Sequence, residues 1–206
     1  AGAGRPLAAA WRSRPRLRAA AGGYFGHMWE LYAFWAFVPF FLAAHAATQS
    51  GPPGPLPLWT FAIIAAGALG CIGGGELSQR WGSAPVALCQ LSISGLCCLL
   101  SPLAFGLPTP WLLAYLAVWG VTVVGDSAQF SALVARAAPA DQLGSIVTQV
   151  NCIGFAITAV NLPLLGMLAP LIEPRFMLLP LLAGPLLGLW AFVPAYFGAR
   201  AQRPAP

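Results

Sequence analysis

The stretch GGYFGHMWELYAFWAFVPFFLAAHA, residues 22–46, decides the class of fold. It is longer than the roughly 20 apolar residues that a helix needs to cross the hydrocarbon core of a bilayer. Its single acidic residue is Glu30. Because lipid offers no hydrogen-bond partners to the backbone, a run of this kind is expected to be helical. The stretch therefore predicts a membrane-spanning helix that carries one acid inside the bilayer.

Five further apolar runs follow, and together they predict an all-α membrane protein with six transmembrane helices. We place the helices near residues 22–46, 58–75, 85–104, 110–135, 143–169 and 176–197. Segments rich in proline and glycine, such as residues 51–55, separate the runs. A transmembrane barrel is excluded because its strands alternate between apolar and polar residues over about ten positions.

Composition supports lipid as the surroundings of the bundle, residues 21–199. The chain is 59% hydrophobic and only 7% charged, whereas soluble domains carry about 25% charged residues. All ten basic residues are arginine, and the remaining composition is biased toward alanine, glycine, proline and leucine. We expect a bacterial protein of the cytoplasmic (inner) membrane. Because the chain starts with Ala1 rather than methionine, we also expect a longer parent protein.

The distribution of arginine predicts the orientation. With six helices, nine arginines fall on one side of the membrane, and only Arg175 falls on the other. Both termini are therefore expected in the cytoplasm. Residues 1–20 are predicted to form a basic, disordered cytoplasmic loop, and residues 200–206 a cytoplasmic tail. The loop is suited to anionic headgroups, and nothing else in the chain favours nucleic acid as a partner.

Ionisable residues inside the membrane are the candidate functional residues, because they are costly there. His27 and Glu30 lie three residues apart and share a helix face. Asp126 lies in the fourth run, on a helical stripe with Gln129. Burial disfavours the charged form of a carboxyl group, so these four residues form a candidate coupling or substrate site. An interhelical bond that only orders the bundle is the structural alternative.

Other polar and aromatic residues are candidates for the lining of a cavity. Trp119 and Thr122 extend the stripe of Asp126, and Tyr32 follows Glu30 on the first helix. Asn151 belongs to a polar series on the fifth helix, which also contains Asn161. Such residues line watery cavities or join helices through hydrogen bonds. We favour the cavity for Asn151 and the joining role for Asn161.

The second helix contains many small residues, which allow another helix to approach closely. The partner of this glycine-rich face is left open by the sequence. The five cysteines lie in apolar runs without metal-ligand spacing, so we expect no metal and no cofactor. Motifs of intramembrane hydrolases, such as HExxH, are missing from the sequence. An enzyme is therefore not expected.

Residues 75–84, GELSQRWGSA, resemble the loop motif of the major facilitator superfamily of transporters. The matching positions are Gly75, Leu77, Arg80 and Gly82. The motif's acidic position and its final basic pair are replaced here by Gln79, Ser83 and Ala84. Residues 23–35 and 126–134 are similar to a bacterial branch often labelled as nitrate/nitrite or cyanate-type permeases. This chain lacks the glycine-rich nitrate signature, so the substrate is not transferred.

The resemblance implies a specific fold and function. The family has twelve helices in two halves, and each half is an inverted pair of three-helix repeats. The chain would be the C-terminal half, with a missing N-terminal half and a small molecule or ion as its partners. In the family the first helix of each triplet lines the central path, which implies that Glu30 and Asp126 face it. The expected function is proton-coupled or facilitative transport of a small solute by alternating access, with proton coupling favoured. The alternative is a non-transporting sensor or scaffold with this fold.

Overall fold

The computed structural model describes residues 11–49 and 54–198. The first half of the basic loop, part of the first breaker and the predicted tail at 200–206 lie outside the described residues. Within the described residues the regular structure is helical throughout, in α-helices and short 3-10 turns.

Seven α-helices build the membrane-spanning part. They are α1 (Pro15–Ala47), α2 (Leu56–Ala65), α3 (Gly67–Trp81), α4 (Ser83–Ala104), α5 (Thr109–Ala137), α6 (Leu143–Leu168) and α7 (Ala183–Phe197). Helices α2 and α3 together form one span, and α7 continues a span that begins in 3-10 turns. Six spans in the described residues are long and apolar enough to cross a membrane. The all-α class and the six spans are confirmed, which indicates an integral membrane protein.

The first helix begins earlier than the sequence predicts. Helix α1 starts at Pro15 rather than near residue 22, so residues 15–20 are helical and not part of a disordered loop. Proline suits the first helical position, because its fixed φ matches the helix and its missing N–H is not needed there. Leu17 and Ala20 are fully buried, whereas Arg16 and Arg18 are exposed. The first turns of α1 are therefore an amphipathic extension of the span.

The second span also differs from the prediction, which ended it at residue 75. It continues to Trp81, with a tight turn at Ala66, whose carbonyl accepts from the N–H of Leu69. The motif at 75–84 is therefore mostly helical rather than a loop. Only Gly82 makes the link to α4, and its φ of 84° lies in the left-handed region that favours glycine. The backbone conformation at this position therefore explains why the motif has a glycine there.

The sixth span, predicted as one helix over 176–197, becomes α-helical only at Ala183. It is preceded by 3-10 turns at Pro174–Phe176 and Leu179–Leu182. Proline has no N–H to donate to the preceding turn. Pro174 and Pro180 lie in this stretch, which explains the irregular start.

Helices α1 and α5 form the centre of the bundle. Helix α1 packs against α5, α6 and α7, and α5 packs against α3 and α4 as well. Helices α6 and α7 make at most marginal contact with each other, whereas α3 and α4 pack directly. The functional candidates on α1 and α5 therefore lie in the interior.

Two side chains tie the helix ends together and show that α1 and α5 are antiparallel. Nη1 of Arg14 donates to the carbonyl of Ala137 at the end of α5, at 3.2 Å. At the opposite end, Nε2 of His45 lies 3.3 Å from Oγ1 of Thr109, at the start of α5, and Nδ1 lies 3.0 Å from the carbonyl oxygen of Phe105. The Arg14 cation is favourable at the C-terminus of α5 because the last carbonyls there lack intrahelical partners.

The glycine-rich face of the second span packs within this chain. Gly67, Gly70 and Gly74 are buried, and side-chain carbon atoms at Gly67 and Gly70 would collide with α5. Gly73 and Gly75, by contrast, have open space at the position of a Cβ. One stripe of these glycines therefore packs against α5, which is the partner that the sequence left open.

Candidate functional site

The candidate site lies at the interface of α1 and α5 and begins with a buried histidine–aspartate pair. Nδ1 of His27 on α1 lies 2.8 Å from Oδ1 of Asp126 on α5, and both side chains are 0% exposed. The contact is close but does not have hydrogen-bond geometry, since both ring nitrogens of His27 and both carboxyl oxygens of Asp126 lack a hydrogen-bond partner among the described residues. A protonated histidine and a carboxylate at this distance attract each other, and each group can take up or release a proton. The pair thus joins two titratable groups without access to water.

Glu30 lies one helical turn further along α1 and receives three donors. The indole Nε1 of Trp119 donates to Oε1 at 2.6 Å, and the thiol of Cys98 approaches the same oxygen at 3.4 Å. The hydroxyl of Ser94 lies 3.0 Å from Oε2. Glu30 is fully buried. An ionised carboxylate only accepts hydrogen bonds, so this set of donors fits the charged form and offsets the loss of water.

The hydroxyl of Ser94 also has a second partner, which matters for the protonated form of Glu30. Its Oγ lies 3.2 Å from the carbonyl oxygen of Leu91, one turn earlier on α4. A hydroxyl group has one donor hydrogen and two acceptor lone pairs, and the hydrogen rotates to suit its surroundings. Ser94 can therefore donate to an ionised Glu30, or donate to Leu91 while accepting from a protonated Glu30. The same backbone arrangement accommodates both states of the acid.

The structure brings together three of the four predicted coupling residues. His27, Asp126 and Glu30 share the α1–α5 interface. Gln129 is buried but faces α3, where a Cβ on Gly74 would lie 3.5 Å from its Nε2.

The predicted cavity-lining residues are placed in different surroundings. Trp119 contacts the site directly through its bond to Glu30. Thr122 donates to carbonyls of its own helix, at Val118 and Trp119. Tyr32 packs its ring against Phe155 on α6, and Asn151 is half-buried on the same helix.

Asn161 has the joining role that the sequence favoured for it. Its amide donates to the carbonyl of Trp29 on α1. Thr158, one turn earlier on α6, likewise donates to the carbonyl of Met28, at 2.9 Å. These bonds fix α6 against α1 next to the candidate site.

Sequence reasoning missed the partners of Glu30 on α4. Ser94 and Cys98 lie four residues apart and therefore on one helix face. That spacing is a usable signal, but one cysteine inside an apolar run reads equally well as a small packing residue. The described residues contain no group of three or more His, Cys, Asp or Glu side chains placed to hold a metal ion.

Comparison with known protein families, curated proteins and solved structures finds no match to this chain. The fold and the site geometry therefore carry the functional argument.

Proposed function

We propose that the chain is one half of a proton-coupled secondary transporter of the major facilitator type, which moves a small solute across a bacterial inner membrane by alternating access. The observation that carries the proposal is the buried set of Glu30, His27 and Asp126 between the two central helices. Ionisable groups at membrane depth are rare and costly, and they mark ion and proton pathways by default.

The environment of Glu30 supports proton exchange over a fixed structural role. A purely structural acid needs partners for one protonation state only. Ser94 can serve either state of Glu30 by rotating its hydroxyl hydrogen between two acceptors. The neighbouring pair of His27 and Asp126 offers a second protonatable site, one turn away on α1.

The order of helix packing supports the inverted-repeat arrangement. The first triplet of spans is headed by α1, and the second by α5. Helix α1 packs mainly against α7, α5 and α6, whereas α5 packs mainly against α3, α4 and α1. Each leading helix thus contacts the two later spans of the other triplet, as two interlocked repeats would. In this arrangement both leading helices would line the path of the solute.

The test is solute uptake by the protein that combines this chain with its partner half, reconstituted in proteoliposomes. A pH gradient is imposed, and small anions are screened first, followed by metabolites and drugs. We expect gradient-driven uptake to fall to background in Glu30→Gln and in Asp126→Asn. The exposed acids Glu76 and Asp141 provide matched controls, and Glu76→Gln and Asp141→Asn should transport like the wild type.

Each alternative outcome has a clear meaning. Uptake that is unchanged by both buried substitutions would indicate that the acids only order the bundle. Uptake that continues without a pH gradient but is lost in both variants would point to substrate binding rather than proton coupling. No uptake of any solute would favour the sensor or scaffold.

A further inference from the structure

An apolar groove runs between α6 and α7, with α1 as its floor. Its cavity volume is about 610 Å³, and each of the three helices contributes four lining residues. On α1 the floor is formed by Gly22, Phe25, Gly26 and Trp29. The groove exists because α6 and α7 each pack on α1 but hardly touch each other. The corresponding spans of the first triplet, α3 and α4, are closed against each other.

The groove faces outward along its whole length. Leu187 and Trp190 on α7 and Val160 on α6 line it and are strongly exposed. These exposed side chains are apolar, so the face is suited to contact with acyl chains. Trp29 lies at the deep end of the floor, and its Nε1 donates to the carbonyl of Pro180 at 3.3 Å.

A positive charge lies on the same helix face as the groove floor. Arg18 is exposed and comes one turn before Gly22, in helical register with Gly22 and Trp29. Side chains on a helix point toward its N-terminus, so the guanidinium is directed toward the membrane surface. The first turn of α1 contains no acid to neutralise it. Trp11 stacks on the ring of Phe25, with the centroids 6.4 Å apart, and tryptophan is typical of the headgroup level.

The distance along α1 from the deep end of the groove to Arg18 matches one leaflet. The groove floor extends from Gly22 to Trp29, about 10 Å along a helix, and Arg18 lies further toward the N-terminus, about 16 Å from Trp29. Half of a hydrocarbon core of about 30 Å is nearly the same length. An acyl chain that lies along the floor from Trp29 toward the surface therefore places its headgroup next to Arg18.

We infer that this groove is a binding site for one anionic phospholipid, whose acyl chain lies between α6 and α7 and whose phosphate pairs with Arg18. On the orientation predicted from the arginines, this is the cytoplasmic leaflet, whose surface is anionic. None of the residues that line the groove belongs to the coupling site.

The test is lipid retention by the 206-residue chain, released from nanodiscs of equal phosphatidylglycerol and phosphatidylcholine and measured by native mass spectrometry. The wild type should retain one phosphatidylglycerol in preference to phosphatidylcholine. Arg18→Gln should reduce this retention about fivefold, the size expected for one arginine near the surface. Arg16→Gln is the matched control, because Arg16 is exposed at the same end of α1 but on the opposite face.

A second pair of variants tests the apolar part. Ala156 lines the groove on α6 and is exposed, so Ala156→Phe should occupy the space of the acyl chain and lower retention. Ala159 is exposed on the same helix outside the groove lining, and Ala159→Phe should retain lipid like the wild type. Equal retention of the two lipids, or equal losses in Arg18→Gln and Arg16→Gln, would overturn the inference. Unchanged retention in Ala156→Phe would place the lipid elsewhere and overturn it as well.

Discussion

Substitution of Gly70 by alanine should weaken the contact between α3 and α5. A Cβ at this position would overlap the carbonyl oxygen of Val121, lie 2.8 Å from the carbonyl carbon and approach the amide nitrogen of Gly125 at 3.3 Å. All three are backbone atoms of α5, so no side-chain rotation relieves the collision. Helix α3 must move away from α5, and the packing along the glycine stripe is lost.

The magnitude follows from a comparison with Gly73 on the same helix. Gly73→Ala meets no atom within 4 Å. Both substitutions gain the same helix propensity, about 1 kcal/mol for alanine over glycine, so this gain cancels when the two variants are compared. The remaining difference is the overpacking cost, typically about 1–3 kcal/mol. We therefore expect Gly70→Ala to be less stable than Gly73→Ala by about that amount.

The assay is unfolding in mixed micelles by titration with dodecyl sulfate, followed by far-ultraviolet circular dichroism at a constant amount of lipid. Gly70→Ala should unfold at a lower fraction of dodecyl sulfate than the wild type, and Gly73→Ala at the same fraction or a higher one. Coincident midpoints for the two variants would refute the close packing of α3 on α5.

Two further predictions concern polar contacts. Asp126→Asn should cost about 1–3 kcal/mol of unfolding free energy, the range for a buried polar group that loses its partner. In a double-mutant cycle with His27→Gln, the combined loss should be smaller than the sum, and additive losses would show that the two side chains do not interact. Arg14→Gln should cost about 0.3–1 kcal/mol at low salt, because the guanidinium no longer caps the carbonyl of Ala137. The cost should vanish at high salt, and Arg12→Gln, at an exposed arginine outside α1, should show no such effect.

The spans were predictable because apolar length is a direct requirement of the bilayer. Helix ends were predictable only where the apolar run and the helix end together, as in α4 near Ala104. The start of α1 at Pro15 was not predictable from the apolar run, because the first turns of α1 expose arginines to solvent and bury only small or apolar residues. The late start of α7 was not predictable from the apolar run, because prolines within that run interrupt the backbone hydrogen bonds of the helix.

The site was predictable in its residue types but not in its pairing. The shared helix face of His27 and Glu30 follows from their spacing. Which of them meets Asp126 depends on the register of α1 against α5, where Gly23 packs so closely that a Cβ would collide with the ring of Phe130. Ser94, a donor to Glu30, comes from a third helix, and no pattern in one chain segment specifies such a meeting.

The two acids respond to the same movement, because both are held across one interface. His27 reaches Asp126, and Glu30 reaches Trp119, two turns away from Asp126 on α5. A displacement of α1 along α5 by one residue, about 1.5 Å, would lengthen or redirect both contacts at once. Packed interfaces change between discrete arrangements rather than continuously. Under the proposed function, protonation at either acid would therefore bias the same movement, and a transporter needs this link between its proton site and its change of access.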